Sequence, residues 1–225
     1  MKFNLKEQSV RELNQALHNL PESSTESVVV EGISGDHNLC VGLNVPVNVE
    51  MNGHAGYYCA GMNQLANVTI NGNVGQGVAE NMMSGKVHVK GNASQSAAAT
   101  AHGGLLVVEG DAAARCGISM KGVNIVVKGS VGHMSAFMGQ SGCMVVCGDA
   151  GEALGDSLYE AHLYVKGKVA SLGADCIQKE MRAEHIEELQ ALLTEAGFDD
   201  KPEDFTRYGS ARQLYTFKVD NASAY

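Results

Sequence analysis

The sequence predicts an all-β solenoid, a right-handed, three-sided β-helix of about seven to eight 19-residue coils with short N- and C-terminal helices. Three observations carry that prediction. From Gly53 a glycine returns every nineteen residues, at Gly72, Gly91, Gly110, Gly129, Gly148 and Gly167, with Gly32 an irregular earlier member. Two further columns of small residues travel with it. Gly56, Gly75, Ser94, Ala113, Gly132, Gly151 and Ala170 stand three residues on, and Ala60, Ala79, Ala98, Gly117, Ala136, Gly155 and Ala174 stand seven on. A short alternating stretch precedes most of the glycines, as in Val68-Thr69-Ile70-Asn71, Val87-His88-Val89-Lys90 and Leu163-Tyr164-Val165-Lys166.

Alternation of apolar and polar residues is the period of a half-buried strand, and Val and Ile suit its pleat. The repeating glycine is expected to turn a corner at positive φ, and the small columns to mark tight corners or places where facing walls approach closely, so that a larger residue at Gly110 would clash with neighbouring coils. Asn, Asp or Ser often follows it. A nineteen-residue unit cannot bury its own apolar side, but stacked copies can, each strand pairing with its counterparts above and below. Nineteen residues divide into about three short strands and their corners, and eight coils at the usual strand spacing give a rod roughly 35–40 Å long. A β-sandwich with regular turns would not keep an invariant repeat length.

Composition narrows the function. The chain has 225 residues and a formal net charge of −9, against the basic surface that nucleic acid requires. It shows neither an apolar run long enough for a membrane span nor a basic-then-apolar leader, so a cytoplasmic location is expected. The six cysteines include no C-x-x-C. Cys59 and Cys116 share a column three coils apart, about 14 Å by strand spacing and too far for a disulfide. Cys143 and Cys147 face the same side of one strand. All six read as small packing residues.

In chain order, residues 1–27 form an N-terminal cap, 28–180 the β-helix and 181–225 a C-terminal helix with a docking tail. Phe3 and Leu5 read as a short anchoring strand. Ser9 and Glu12 make a capping box, followed by Leu13, Ala16, Leu17 and Leu20 on one helical face. That helix covers the open end of the solenoid, whose last rung would otherwise offer unpaired backbone. In the coils, the position three before each glycine faces outward: Glu50, Thr69, His88, Val107, Val126, Val145 and Tyr164. The first three suit water. The last four make an apolar strip that the C-terminal helix or another protein must cover. That helix places Ile186, Leu189, Leu192, Leu193 and Ala196 on one face and Glu184, Glu187 and Glu188 on the other, and Gly197 ends it. The tail carries Phe205, Tyr208, Tyr215 and Phe217 with no evident core to join.

The chain shows no catalytic constellation. Within the regular coils no two histidines share a column, and H-x-x-x-H is absent. Gly72-x-x-Gly75-x-Gly77 lacks the Lys-Ser/Thr of a phosphate loop. No catalytic, cofactor-binding or metal-binding residue is therefore assigned. Partner contact is expected from the variable part of each coil and from the tail: Tyr57, Tyr58, Asn81, Met82, Met83, Met120, His133, Met138, Arg207, Tyr208, Arg212 and Tyr215. Methionine serves adaptable surfaces as well as cores.

The repeated column pattern G-x-x-G-x-x-x-G resembles the GXGXG β-helix domain at the C-terminus of glutamate synthase large subunits. A related domain occurs in the C subunit of formylmethanofuran dehydrogenase. The third glycine is replaced by Ala in five of seven coils, which keeps the column small. The longer strings Gly53-His54-Ala55-Gly56-Tyr57-Tyr58-Cys59-Ala60-Gly61-Met62-Asn63, Ala79-Glu80-Asn81-Met82-Met83-Ser84-Gly85, Arg115-Cys116-Gly117-Ile118-Ser119-Met120-Lys121-Gly122 and Arg207-Tyr208-Gly209-Ser210-Ala211-Arg212 look like the stand-alone form of this domain. That form is the small β-helix subunit of N-methylglutamate synthase and its relatives. The resemblance covers essentially the whole chain. It implies a non-catalytic structural subunit that positions a class II glutamine amidotransferase subunit and a flavin-dependent synthase subunit, and helps wall the path for ammonia or amine. FMN and iron–sulfur clusters would then sit on the synthase partner, with none in this chain. The other readings are a scaffold of the formylmethanofuran dehydrogenase kind, and a free-standing enzyme with a site in the grooves between coils.

Overall fold

A computed structural model describes residues 1–214. Among the described residues eleven strands form one sheet. They are β1 (Lys2–Asn4), β2 (Ser27–Ser34), β3 (Asn48–His54), β4 (Asn67–Asn71), β5 (Lys86–Val89), β6 (Leu105–Val108), β7 (Lys121–Val127), β8 (Ser141–Val146), β9 (His162–Val165), β10 (Cys176–Lys179) and β11 (Thr206–Ser210). From β1 to β9 neighbours are parallel, and from β4 to β9 each pairs residues one coil apart. Val68, Val87, Leu106, Ile125, Met144 and Leu163 form a single inward ladder across six strands. At the far end β11 enters antiparallel to β9, and β10 becomes the edge. The fold is the expected β-solenoid of about seven turns with a short helix towards each end.

Each coil carries one regular strand, not three. The second wall is reduced to a ladder of single bridges, Ala55–Val74–Ala93–Ala112–Val131–Ala150–Val169. The third is a run of turns in which left-handed residues recur at alternate positions. In the second coil these are Gly77, Ala79 and Asn81, with φ of 74°, 55° and 55°, and in the third Ser96, Ala98 and Thr100, with φ of 60°, 52° and 55°. Backbone in that conformation cannot continue a strand. The column is left-handed at Ala60, Ala79, Ala98, Gly117, Ala136 and Gly155, but not at its last member, Ala174. Where Ala replaces Gly there the chain accepts roughly 1 kcal/mol of strain. Ala60, Ala79, Ala98 and Ala136 are fully buried.

Of the two expected causes of the glycine ladder, positive φ and close approach of neighbouring coils, the second holds. Gly53 has a positive φ, but the six that follow do not. They are glycine because coils meet there backbone to backbone. The N–H of Gly110 donates to the Gly91 carbonyl at 3.0 Å, and the N–H of Gly129 to the Gly110 carbonyl at 3.0 Å. A Cβ on Gly110 would stand 2.9 Å from the Gly91 oxygen, and one on Gly148 would stand 2.6 Å from the Gly129 carbonyl carbon. The polar residue after each glycine completes the corner. Asn73, Asn92, Asp111 and Asp149 each accept, through a side-chain oxygen, the backbone N–H one coil on, at 2.7–2.8 Å.

Helix α1 (Val10–His18) starts at Ser9, whose hydroxyl accepts the Glu12 N–H while the Glu12 carboxylate accepts the Ser9 N–H. Leu13 and Leu17 are fully buried against the solenoid core. Helix α2 (Ala183–Ala196) ends at Gly197 with φ 83°. It lies over the outer face of the sheet. Leu189, Leu192, Leu193 and Ala196 pack with Leu105, Val107, Val126, Cys143, Val145 and Tyr164 as a second core outside the solenoid. The apolar strip is thus covered by the chain's own helix, and β6 is buried along its whole length. The Lys86 ammonium donates to the Glu195 carbonyl at 2.7 Å, a cation at the negative end of α2. No described helix is long and apolar enough to cross a membrane.

Candidate functional site

The residues expected to meet a partner fall into three groups. Tyr57, Tyr58, Met83 and Met138 are exposed, as are Asn81 and His133. Tyr58, Asn81 and Met138 occupy left-handed positions of the turn wall, at φ of 56°, 55° and 54°. Exposed large apolar residues gather in two regions, one of them the last coils and the tail with Met138, Tyr159, Leu172, Ile177 and Leu214. In the other, Tyr57, Tyr58, Met62, Leu65 and Met83 all belong to the first two regular coils and are 43–52 % exposed. The Tyr57 ring stacks on His37 at 4.4 Å, and its N–H donates to His37 Nδ1 at 2.9 Å. This stack fixes the orientation of one aromatic within the patch.

Met82 and Met120 do not belong to that surface. Both are fully buried, in an inward column they share with Asn63, Ala101 and Leu158. Met82 and Met83 are adjacent, so the backbone sends one to the core and the other to solvent. The sequence expectation treated the variable segment as one face.

The tail residues lie at the opposite end, about six coils or roughly 29 Å from Tyr58 by strand spacing. The tail has a core to join. Phe205 is buried in the α2 core, and Tyr208 packs half-buried against the solenoid from within β11. The Ser210 hydroxyl donates to Asp175 at 2.7 Å, and that bond, with backbone N–H groups that follow, holds the Asp175 carboxyl below its usual range. Arg207 donates to the Glu180 carbonyl at 3.3 Å, while its Nε is buried without a hydrogen-bond partner. Arg212 pairs with Glu160 at 3.5 Å. Tyr215 lies outside the described residues. Arg207 and Arg212 line a polar cleft of about 690 Å³ together with Lys179, Arg182, His162 and His185.

Behind His162, which lines this cleft, the structure brings together residues that sequence reasoning did not connect. Cys143 on β8 and His162 on β9 are paired neighbours in register, one coil apart on the outer face of the sheet. Glu188 reaches them from α2. It was expected on the solvent face of that helix, but turns under it and is half-buried. His162 Nδ1 lies 2.9 Å from Glu188 Oε2, and the Tyr164 hydroxyl donates to the same oxygen at 2.5 Å. The His162 hydrogen bond outweighs the cost of burial and, with those from Tyr164 and Cys143, brings the Glu188 carboxyl down to about 2. Burial pushes the Cys143 thiol and the Tyr164 phenol up, and Glu188 adds to both shifts. His185 stands edge-on to His162 at 5.5 Å. Cys143 Sγ, a His162 ring nitrogen and a Glu188 oxygen lie within 4.8 Å of one another. A search of histidine columns alone misses this pair, because its second member is a cysteine.

No protein-family model matches the chain. Over 218 residues it is 60 % identical to Protein GlxC of Rhizobium meliloti (strain 1021), covering 96 % of each chain.

Proposed function

The chain belongs to the same family as Protein GlxC, and from that premise we propose that it is a non-catalytic structural subunit of a glutamate-synthase-like complex. The observation that carries this reading is the apolar patch of Tyr57, Tyr58, Met62, Leu65 and Met83 on the first two coils. Interfaces are enriched in such aromatic and Met side chains, and a patch of this kind on a rigid wall suits a protein partner. The long strings that resemble the stand-alone β-helix subunit of N-methylglutamate synthase include most of this patch. In the finer form of the proposal the partners are a class II glutamine amidotransferase subunit and a flavin-dependent synthase subunit. FMN and iron–sulfur clusters reside on the latter, and the rod fixes the two while helping to wall the path for ammonia or amine. The overall reaction is then methylamine plus glutamate giving N-methylglutamate plus ammonia.

The test is the native mass of the complex recovered from its own cells on a tag carried by this chain. An assembly containing a flavoprotein and an amidotransferase supports the proposal; a lone chain or a homo-oligomer defeats it. Tyr58→Asn with Met62→Asn probes the surface, because Asn tolerates the left-handed backbone at both positions. The expected result is loss of the partners with melting within about 0.5 kcal/mol of wild type.

A further inference from the structure

We propose that Cys143, His162 and Glu188 form a binding site for one divalent transition-metal ion of the zinc class, with its fourth position open to the cleft. The inference is independent of the partner assignment. It rests first on ligand chemistry: a thiol, an imidazole and a carboxylate are the three side-chain types that bind zinc. It rests second on placement. Ligand atoms about 2.0–2.3 Å from a tetrahedral ion stand about 3.3–3.8 Å from one another. Here they already lie within 4.8 Å of one another, and His162 Nδ1 is 2.9 Å from Glu188. Settling around an ion therefore takes shifts of about an ångström or less, within reach of side-chain rotation. Cys143 and His162 cannot drift apart, since the β8–β9 register fixes them as neighbours.

The surroundings supply what such a site requires. Tyr164 donates to the Glu188 carboxylate and so orients a ligand from outside the ligand set. His162 lines the cleft, which gives an entry path, while Cys143 is almost wholly shielded from solvent. Charge closes as well. A thiolate and a carboxylate neutralise a dication, which matters because Arg207 and His185 stand nearby. Binding exchanges the Cys143 thiol proton for the ion. His162, ligating through Nδ1, gives up to water in the cleft the Nδ1 proton it otherwise donates to Glu188, and carries its ring proton on Nε2. The displaced thiol proton leaves through the cleft, and no electron moves. Bound there, the ion would join two coils to α2 at a single point.

The experiment uses the full chain, stripped with chelator and titrated with Co²⁺ alone. Expected is a near-ultraviolet thiolate-to-cobalt charge-transfer band with tetrahedral visible bands, saturating at one ion per chain and displaced by Zn²⁺. Cys143→Ser should abolish the thiolate band. Cys147→Ser should keep it, since that thiol lies beside Lys128 and Asp200. Glu188→Gln should weaken binding at least about tenfold. If Cys143→Ser does not fold, His162→Gln, at the half-exposed cleft wall, carries the same test and should also weaken binding at least about tenfold. No thiolate band with cobalt in large excess, or one unchanged in these variants, overturns the proposal.

Discussion

Gly110→Ala separates the two reasons a coil can need glycine. Gly110 has no positive φ, so alanine meets no backbone strain there. Its methyl instead meets the coil below: the Gly91 carbonyl oxygen would lie 2.9 Å away and the Asn92 amide oxygen closer still. Asn92 cannot swing clear without surrendering the Asp111 N–H it accepts at 2.8 Å. The Gly91 carbonyl cannot move without stretching the 3.0 Å bond from Gly110. Overpacking costs about 1–3 kcal/mol and one weakened hydrogen bond about 1, so about 2–4 kcal/mol is expected. In a chain of this size that lowers the melting temperature by about 5–15 °C. Gly35 provides the converse case, with φ 82° and open space around its Cβ position. Gly35→Ala should cost only the left-handed penalty of about 1 kcal/mol. The assay is thermal melting followed by far-ultraviolet circular dichroism, with Asn92→Ala/Gly110→Ala as a third variant. Removing Asn92 should recover only part of the loss, because the backbone contact remains. Wild-type melting of Gly110→Ala, or full recovery in the double variant, would refute backbone approach as the cause of the ladder.

The adjacent methionines make a second test: Met82→Ala empties a fully buried position and should cost about 2–5 kcal/mol, while exposed Met83→Ala should stay within about 0.5 kcal/mol in urea unfolding. Glu188 makes stability pH-dependent. Its folded carboxyl lies at about 2 against a usual value of 4.5, so its contribution is complete above pH 4.5 and is lost as pH falls towards 2. The side chain is 35 % exposed, which reduces the full linkage value of about 3 kcal/mol to about 1–2. Glu188→Gln should flatten the acid limb of a stability profile by that amount, and an acid limb parallel to wild type would count against the buried network.

The period of nineteen was legible because stacking is a one-dimensional constraint: every coil must place its glycine beneath the next, so the requirement recurs in the sequence. The helices were legible for a local reason, since Ser9 with Glu12 and Gly197 are complete terminus signals within a few residues. The apolar strip from Val107 to Tyr164 was also legible as something needing cover. That α2 covers it follows only once the helix is laid on the sheet. The walls were not legible. Alternate left-handed residues such as Ala79 and Asn81 leave no composition signal that separates them from strand, because the strain is imposed by neighbouring coils rather than by residue choice. The same ambiguity put Met82 and Met120 on the surface.

The Cys143–His162–Glu188 cluster shows where reading along the chain reaches its limit. Two of its members were within reach, for Cys143 and His162 stand nineteen residues apart and therefore share a column. The third was not. Seen along its own helix, Glu188 belongs to the charged face with Glu184 and Glu187, where solvent is the expected partner. Its inward turn depends on where α2 lands. Leu189, Leu192 and Leu193 decide that by packing over Val126 and Val145, and Lys86 anchors the far end at Glu195. Once that footprint is fixed, the carboxylate is carried to the one place on the outer face where Tyr164, His162 and Cys143 all offer it a donor. The apolar contacts locate the helix, and the polar cluster fills the gap they leave at its N-terminal half. A variant that disturbs Leu189 should therefore loosen the Glu188 network as well, whereas one that removes Glu188 should leave the leucine contacts standing.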